Sequence, residues 1–130
     1  MSAFQANLLW QFYAKHANYH DAARVLNELA NSNFPIHLEE RIEYLSRAKN
    51  LCSVRVDPGM RSALNEQATQ IQDAIDVATI QDDIIRVIKE DPRMVDFKRA
   101  EFLKELDGKI LPLTTVKFTA PVMIADGVVI

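Results

Sequence analysis

Histidines, paired carboxylates and one thiol are the residues of this chain with chemistry to offer. His16 and His20 stand four apart, a spacing that sets two imidazoles over one zinc ion when both lie on a single helix. Here they straddle a predicted turn, and Ala17, Asn18 and Tyr19 between them supply no acidic base. His37 and Cys52 could join them, but no spacing fixes that geometry. The adjacent pairs Glu39–Glu40, Asp82–Asp83 and Glu90–Asp91 would serve a glycosidase or a metal enzyme if opposed across a cleft. Neighbours on a helix do not face each other, so these read as solvated faces. With Gly59, Gly108 and Gly127 the only glycines, no nucleophile elbow, phosphate loop or dinucleotide fingerprint can be built. The sequence predicts no catalytic, cofactor-binding or metal-binding residue, no small-molecule substrate, and no enzyme.

Binding surfaces are the remaining class. Phe4, Trp10, Phe12, Tyr13 and Tyr19 could line a peptide groove or stack on bases. Their helical spacing and the lack of interleaved basic residues favour helix–helix packing, leaving protein binding as the alternative use. With 15 basic and 18 acidic residues the net charge is −3, which offers no attraction for phosphate backbones or anionic lipids. Direct nucleic-acid binding is not expected. A lone cysteine cannot form an intramolecular disulfide, and a reducing, intracellular compartment is expected. No signal-peptide pattern opens the chain, and its apolar runs are interrupted well before the roughly 20 residues of a transmembrane span.

The elements that carry these residues follow from periodicity. Phe4, Leu8, Leu9, Phe12 and Tyr13 predict one face of a first helix, with Trp10 beside it. Ala22, Val25, Leu26, Leu29 and Ala30 share a face of a second helix opening at Asp21, and Asn31-Ser32-Asn33-Phe34-Pro35 closes it. Leu38, Ile42, Leu45, Ala48 and Cys52 mark a third helix, with Arg41 among the polar residues assigned to its outer side and Glu43 and Arg47 spaced to pair. Asp57-Pro58 has the order of a helix start. From there a stripe through Leu64, Ala68, Ile71, Ile75, Ala78, Ile80, Ile84, Ile85 and Ile88 predicts a helix of about 30 residues and roughly 45 Å. A fifth is expected from about Pro92, using Met94, Val95, Phe97, Phe102, Leu103 and Leu106, with Gly108 as its C′ residue. The fold class is all-α: about five antiparallel helices over 1–113, without the fixed repeat period of a tetratricopeptide array, which leaves an irregular α-solenoid segment open beside a closed bundle. The aromatic face of the first helix needs either an upstream partner or packing across the bundle.

Three stretches carry a resemblance beyond periodicity. They are Phe12 to Leu26 with "YHDAARVL", Leu38 to Asn50 with "LEERIEYLSRAKN", and Ile80 to Arg93 with "IQDDI" and "KEDPR", followed by "LDG" at 106–108. In this order they resemble the C-terminal helical region of the large non-repetitive scaffold nucleoporin of the nuclear pore inner ring, in a fungal-like form. The resemblance spans roughly residues 4–113. It implies a slice from late in an α-solenoid that in the family follows a β-propeller, without enzymatic activity or cofactor. It also implies location at the nuclear pore complex of the nuclear envelope, with other inner-ring and linker nucleoporins as partners in nucleocytoplasmic transport. No partner-binding position is carried over. The runner-up is a free-standing helical adaptor that binds an amphipathic peptide through the aromatic first hairpin.

The resemblance stops near Thr115. Residues 114–130 are apolar, proline-broken and β-prone, and read as a non-helical tail. Two origins fit: a short cap over an exposed solenoid end, or non-family sequence that replaces the next helix.

Overall fold

The computed structural model describes residues 2–111, so the tail read at 114–130 lies outside them. Five α-helices run in order: α1 (Ala3–Lys15), α2 (Tyr19–Ala30), α3 (Leu38–Cys52), α4 (Pro58–Glu90) and α5 (Asp96–Leu106). Among the described residues there is no strand. Each helix packs on the next in the chain, and α2 also reaches α4. This nearest-neighbour stacking is how a solenoid buries its faces.

Local sequence explains the ends. Ser2 caps α1: its Oγ accepts the Gln5 amide at 3.1 Å while Gln5 Oε1 accepts the Ser2 amide at 2.8 Å, a reciprocal capping box. At the other end the Ala17 amide bonds Ala14 O at 3.1 Å and the Asn18 amide bonds Tyr13 O at 2.8 Å, a Schellman closure. It places Ala17 at φ 59°, where glycine is the unstrained choice. This tight closure needs few residues, so α2 starts at Tyr19 rather than at Asp21.

The core runs through α2, α3 and α4, where Ala23, Leu26, Leu45, Ala48, Leu64, Ile71 and Ala78 have no exposed surface. Alanines at 23, 30, 48 and 78 let the helix backbones approach, and the leucines fill the space between. A smaller cluster joins Ala6, Val25 and Leu29 with Leu9, Tyr13, Phe34 and Ile36, and Trp10 borders both clusters.

Two expectations are corrected, and a third holds in position only. The fifth helix starts at Asp96, not Pro92, because Asp91 Oδ1 accepts the Arg93 amide at 2.9 Å and the Met94 amide turns back to Asp91 O at 3.3 Å. That side-chain turn competes with helix, so Met94 and Val95 precede it. Gly108 stands at C′, directly after the C-cap Asp107, as expected, but without the positive φ that makes glycine the favoured residue there. The stripe on α4 also splits: Ile71, Ala78 and Ile85 are buried, whereas Ile80 and Ile84 face solvent and Val77 and Gln81 take inward positions. Over 33 residues a straight helix drifts round its axis, and the neighbouring elements decide which side is covered.

One device recurs at the loops. The fourth residue of α3, α4 and α5 is in each case an arginine, and each reaches back to a carbonyl in the last turn of the preceding helix and to carbonyls of the loop that follows it. Arg41 donates to Ala30 O (3.0 Å), Ser32 O (2.6 Å), Phe34 O (2.7 Å) and Ile36 O (3.0 Å). Arg61 bonds Val54 O at 3.0 Å and also Cys52 O. Arg99 bonds Ile88 O (3.2 Å), Asp91 O (2.6 Å) and Met94 O (3.0 Å). A planar fork with five donors suits several carbonyls at once, which an ammonium cannot match.

Candidate interaction surface

The first helix is apolar on two opposite sides. Ala6, Leu9, Trp10 and Tyr13 turn towards α2 and the interior. Phe4, Leu8 and Phe12, spaced by four, turn out with 72%, 51% and 55% exposure. The single face expected from periodicity therefore divides in two, because the stripe was wide enough to wrap the helix. A helix apolar all round belongs inside a larger assembly, and a continuous exposed apolar ridge marks an interaction site. On the ridge's own helix the only charged residue is Lys15, so partner selection by ion pairing has little to work with there.

Between α1 and α2 lies a mostly apolar groove of about 280 Å³, floored by Ala6, Leu9, Val25, Leu29 and Phe34, with Arg24 and Glu28 on its rim. Arg24 is held there by Asp21 at 3.4 Å and Glu28 at 3.3 Å. A second exposed ridge, Ile80, Ile84 and Val87, runs along α4.

The residues with chemical potential do not converge. His16 caps the end of α1, with Nδ1 2.9 Å from Phe12 O and its ring 4.3 Å from the Phe12 ring. His20 lies in the first turn of α2, where its carbonyl accepts Gln67 Nε2 at 3.0 Å. His37 faces Asp107 at 3.0 Å, and Cys52 is buried with its thiol against Gln67 Oε1 at 3.6 Å. Burial pushes the Cys52 thiol up, against the opposing pull of Arg61, so it is no ready nucleophile. Among the described residues no three His, Cys, Asp or Glu side chains are placed to hold a metal ion. Of the carboxylate pairs, Asp82 and Asp83 both engage Arg86, at 3.0 and 3.2 Å, and Glu39, Glu40 and Glu90 are exposed. Glu43 pairs with Arg47 at 2.9 Å as its spacing predicts.

Three residues that periodicity missed prove structural. Arg41, assigned to the polar side of α3, is 2% exposed; burial pulls its guanidinium down from the ordinary arginine value. Gln81 is buried inside "IQDD", and Asp107 of "LDG" binds the start of α3. The motifs that carried the resemblance thus contain the side chains that join helices distant in sequence, which periodicity cannot reveal.

Residues 2–121 match the model of the non-repetitive/WGA-negative nucleoporin C-terminal family. The chain belongs to that family. A nucleoporin of Schizosaccharomyces pombe is 44% identical over 109 residues, covering 84% of this chain and 8% of that protein. Nucleoporin NUP170 of Saccharomyces cerevisiae is 41% identical over 106 residues, covering 82% of the chain and 7% of its own length. The Nup170 C-terminal domain of Chaetomium thermophilum superposes with a TM-score of 0.82 at 34% identity, over 89% of this chain and 21% of that one. A crystal structure of that domain in complex with Nup145N is similar at a TM-score of 0.81. This nucleoporin chain is thus an α-solenoid segment that spans less than a tenth of the length of those two curated relatives.

Proposed function

We propose that this segment is a passive structural brace in the inner-ring scaffold of the nuclear pore complex. It acts at the nuclear envelope through protein–protein contacts and supports nucleocytoplasmic transport without catalysing a reaction. The observation that carries this reading is α1, apolar on both sides within a family whose solved Chaetomium domain is several times longer than this unit. The Phe4–Leu8–Phe12 ridge is the seat of an adjoining helical unit of the longer protein. Other inner-ring and linker nucleoporins are the partners, and the complex of the Chaetomium domain with Nup145N supports a nucleoporin ligand for this class of solenoid.

Light scattering on the purified chain tests the ridge. Concentration-dependent association is expected, and the triple variant Phe4→Ser, Leu8→Ser, Phe12→Ser is expected to be monomeric with unchanged helicity. In fungal cells a fluorescent fusion of the chain should mark the nuclear rim and the triple variant should not. A stable monomer that stays diffuse would sink the brace. The groove between α1 and α2 favours one second reading, an adaptor that seats an amphipathic peptide there; a monodisperse monomer is the outcome that supports it.

A further inference from the structure

α5 is held differently from its neighbours. None of its residues is fully buried, whereas α2, α3 and α4 each bury several. Its start is pinned by Arg99 to the end of α4. Its end runs into Asp107–Leu111, and that stretch touches three other elements. Gln81, 1% exposed on α4, donates from Nε2 to Leu106 O at 2.6 Å and Lys109 O at 3.0 Å, and its Oε1 accepts the Leu111 amide at 2.9 Å. All three partners of the Gln81 side chain lie on the backbone, so its amide reads the path of the chain rather than its side chains. Asp107 supplies what α3 lacks: the N-cap residue His37 makes no side-chain cap, and Asp107 Oδ1 accepts the Leu38 amide at 3.1 Å instead. Lys109 Nζ reaches Asn33 Oδ1 at 2.9 Å in the α2–α3 loop, and Ile110 inserts into the main core.

We propose that Asp107–Leu111 is a clasp, with Gln81 as its keeper, that locks the end of α5 onto α3 and the α2–α3 loop. Opening it frees α5 to swing about the Arg99 pin and uncaps α3 in the same event. The clasp couples α4 to the first turn of α3 through a segment that belongs to neither. This inference is independent of the partner that covers α1.

Hydrogen exchange on the full chain tests it. Gln81→Met keeps the volume and removes the three bonds; amides of Leu103–Leu111 and the Leu38 amide should exchange at least about fivefold faster, with core amides of α2 and α3 unchanged. Asp107→Ala should accelerate the Leu38 amide alone. Should Gln81→Met not fold, Gln81→Asn, which withdraws the amide by one methylene, is expected to give the same local pattern. Leu38 amide protection equal to the parent's in the folded Gln81 variant overturns the proposal. So does a uniform loss of protection in both Gln81 variants, which would make Gln81 an ordinary core residue.

Discussion

α1 sets three large apolar side chains in water, whereas α3 carries a guanidinium into the core. Residue type alone gives the opposite expectation for both. The inversion has one cause at each place. Around α3 the loop from Ala30 to Ile36 leaves carbonyls pointing inward, and Arg41 is the group that satisfies them, with no carboxylate among the partners. Around α1 no described element lies over Phe4, Leu8 and Phe12, so the apolar face remains open. Burial is decided by which backbone groups need partners and by which neighbours exist, more than by the hydropathy of the residue itself.

Substitutions on the two sides should separate this contrast by size. Leu45→Ala, in the interior of α3, is expected to cost about 2–5 kcal/mol by urea unfolding, because the lost transfer energy adds to a cavity. Arg41→Met should cost about 3 kcal/mol, since several buried carbonyls lose their donor together, and Arg41→Lys should recover little because an ammonium cannot span them. A near-neutral Arg41→Met would return Arg41 to the surface role that periodicity assigned. Ala17→Gly, at the left-handed residue closing α1, is expected to stabilise by about 0.5–1 kcal/mol through relief of strain, and a loss would show that the turn relaxes without it. Phe4→Ser should change unfolding by no more than about 0.5 kcal/mol while reducing self-association, the reverse of Leu45→Ala in both readouts.

The thiol gives a further test of the interior. Burial raises the Cys52 value above that of the unfolded chain, so the folded state holds its proton longer. Stability is then full below the ordinary thiol value, about 8.5, and declines as pH rises from there through the folded value. The unfolding midpoint measured above that pH should fall in the parent and fall less in Cys52→Ala. Tyr44, raised by burial and by Glu40 and Glu43, adds a decline of the same sign at higher pH.

Five helices were legible in the sequence because each has its own stop signal and a run of apolar residues at helical spacing. Asn31 to Pro35 and Glu43–Arg47 do in the structure what their chemistry predicts, and Pro58 opens α4 with Asp57 at the N-cap position, although the Asp57 side chain makes no cap hydrogen bond. Local rules failed at Pro92, where an Asp91 side chain completes a turn, and at Ile80 and Ile84, where the stripe kept its period but not its cover.

What this sequence determined by itself was the set of rods, their order and the family they resemble. Those depend on contacts within a few residues, which one strand of text contains. The tertiary structure alone decided that Arg41 and Gln81 lie inside, that Asp107 caps a helix begun 69 residues earlier, and that α1 offers one face inward and one outward. Those outcomes depend on backbone groups meeting across the fold, and a lone polar residue gives no periodic sign of the carbonyl it will satisfy.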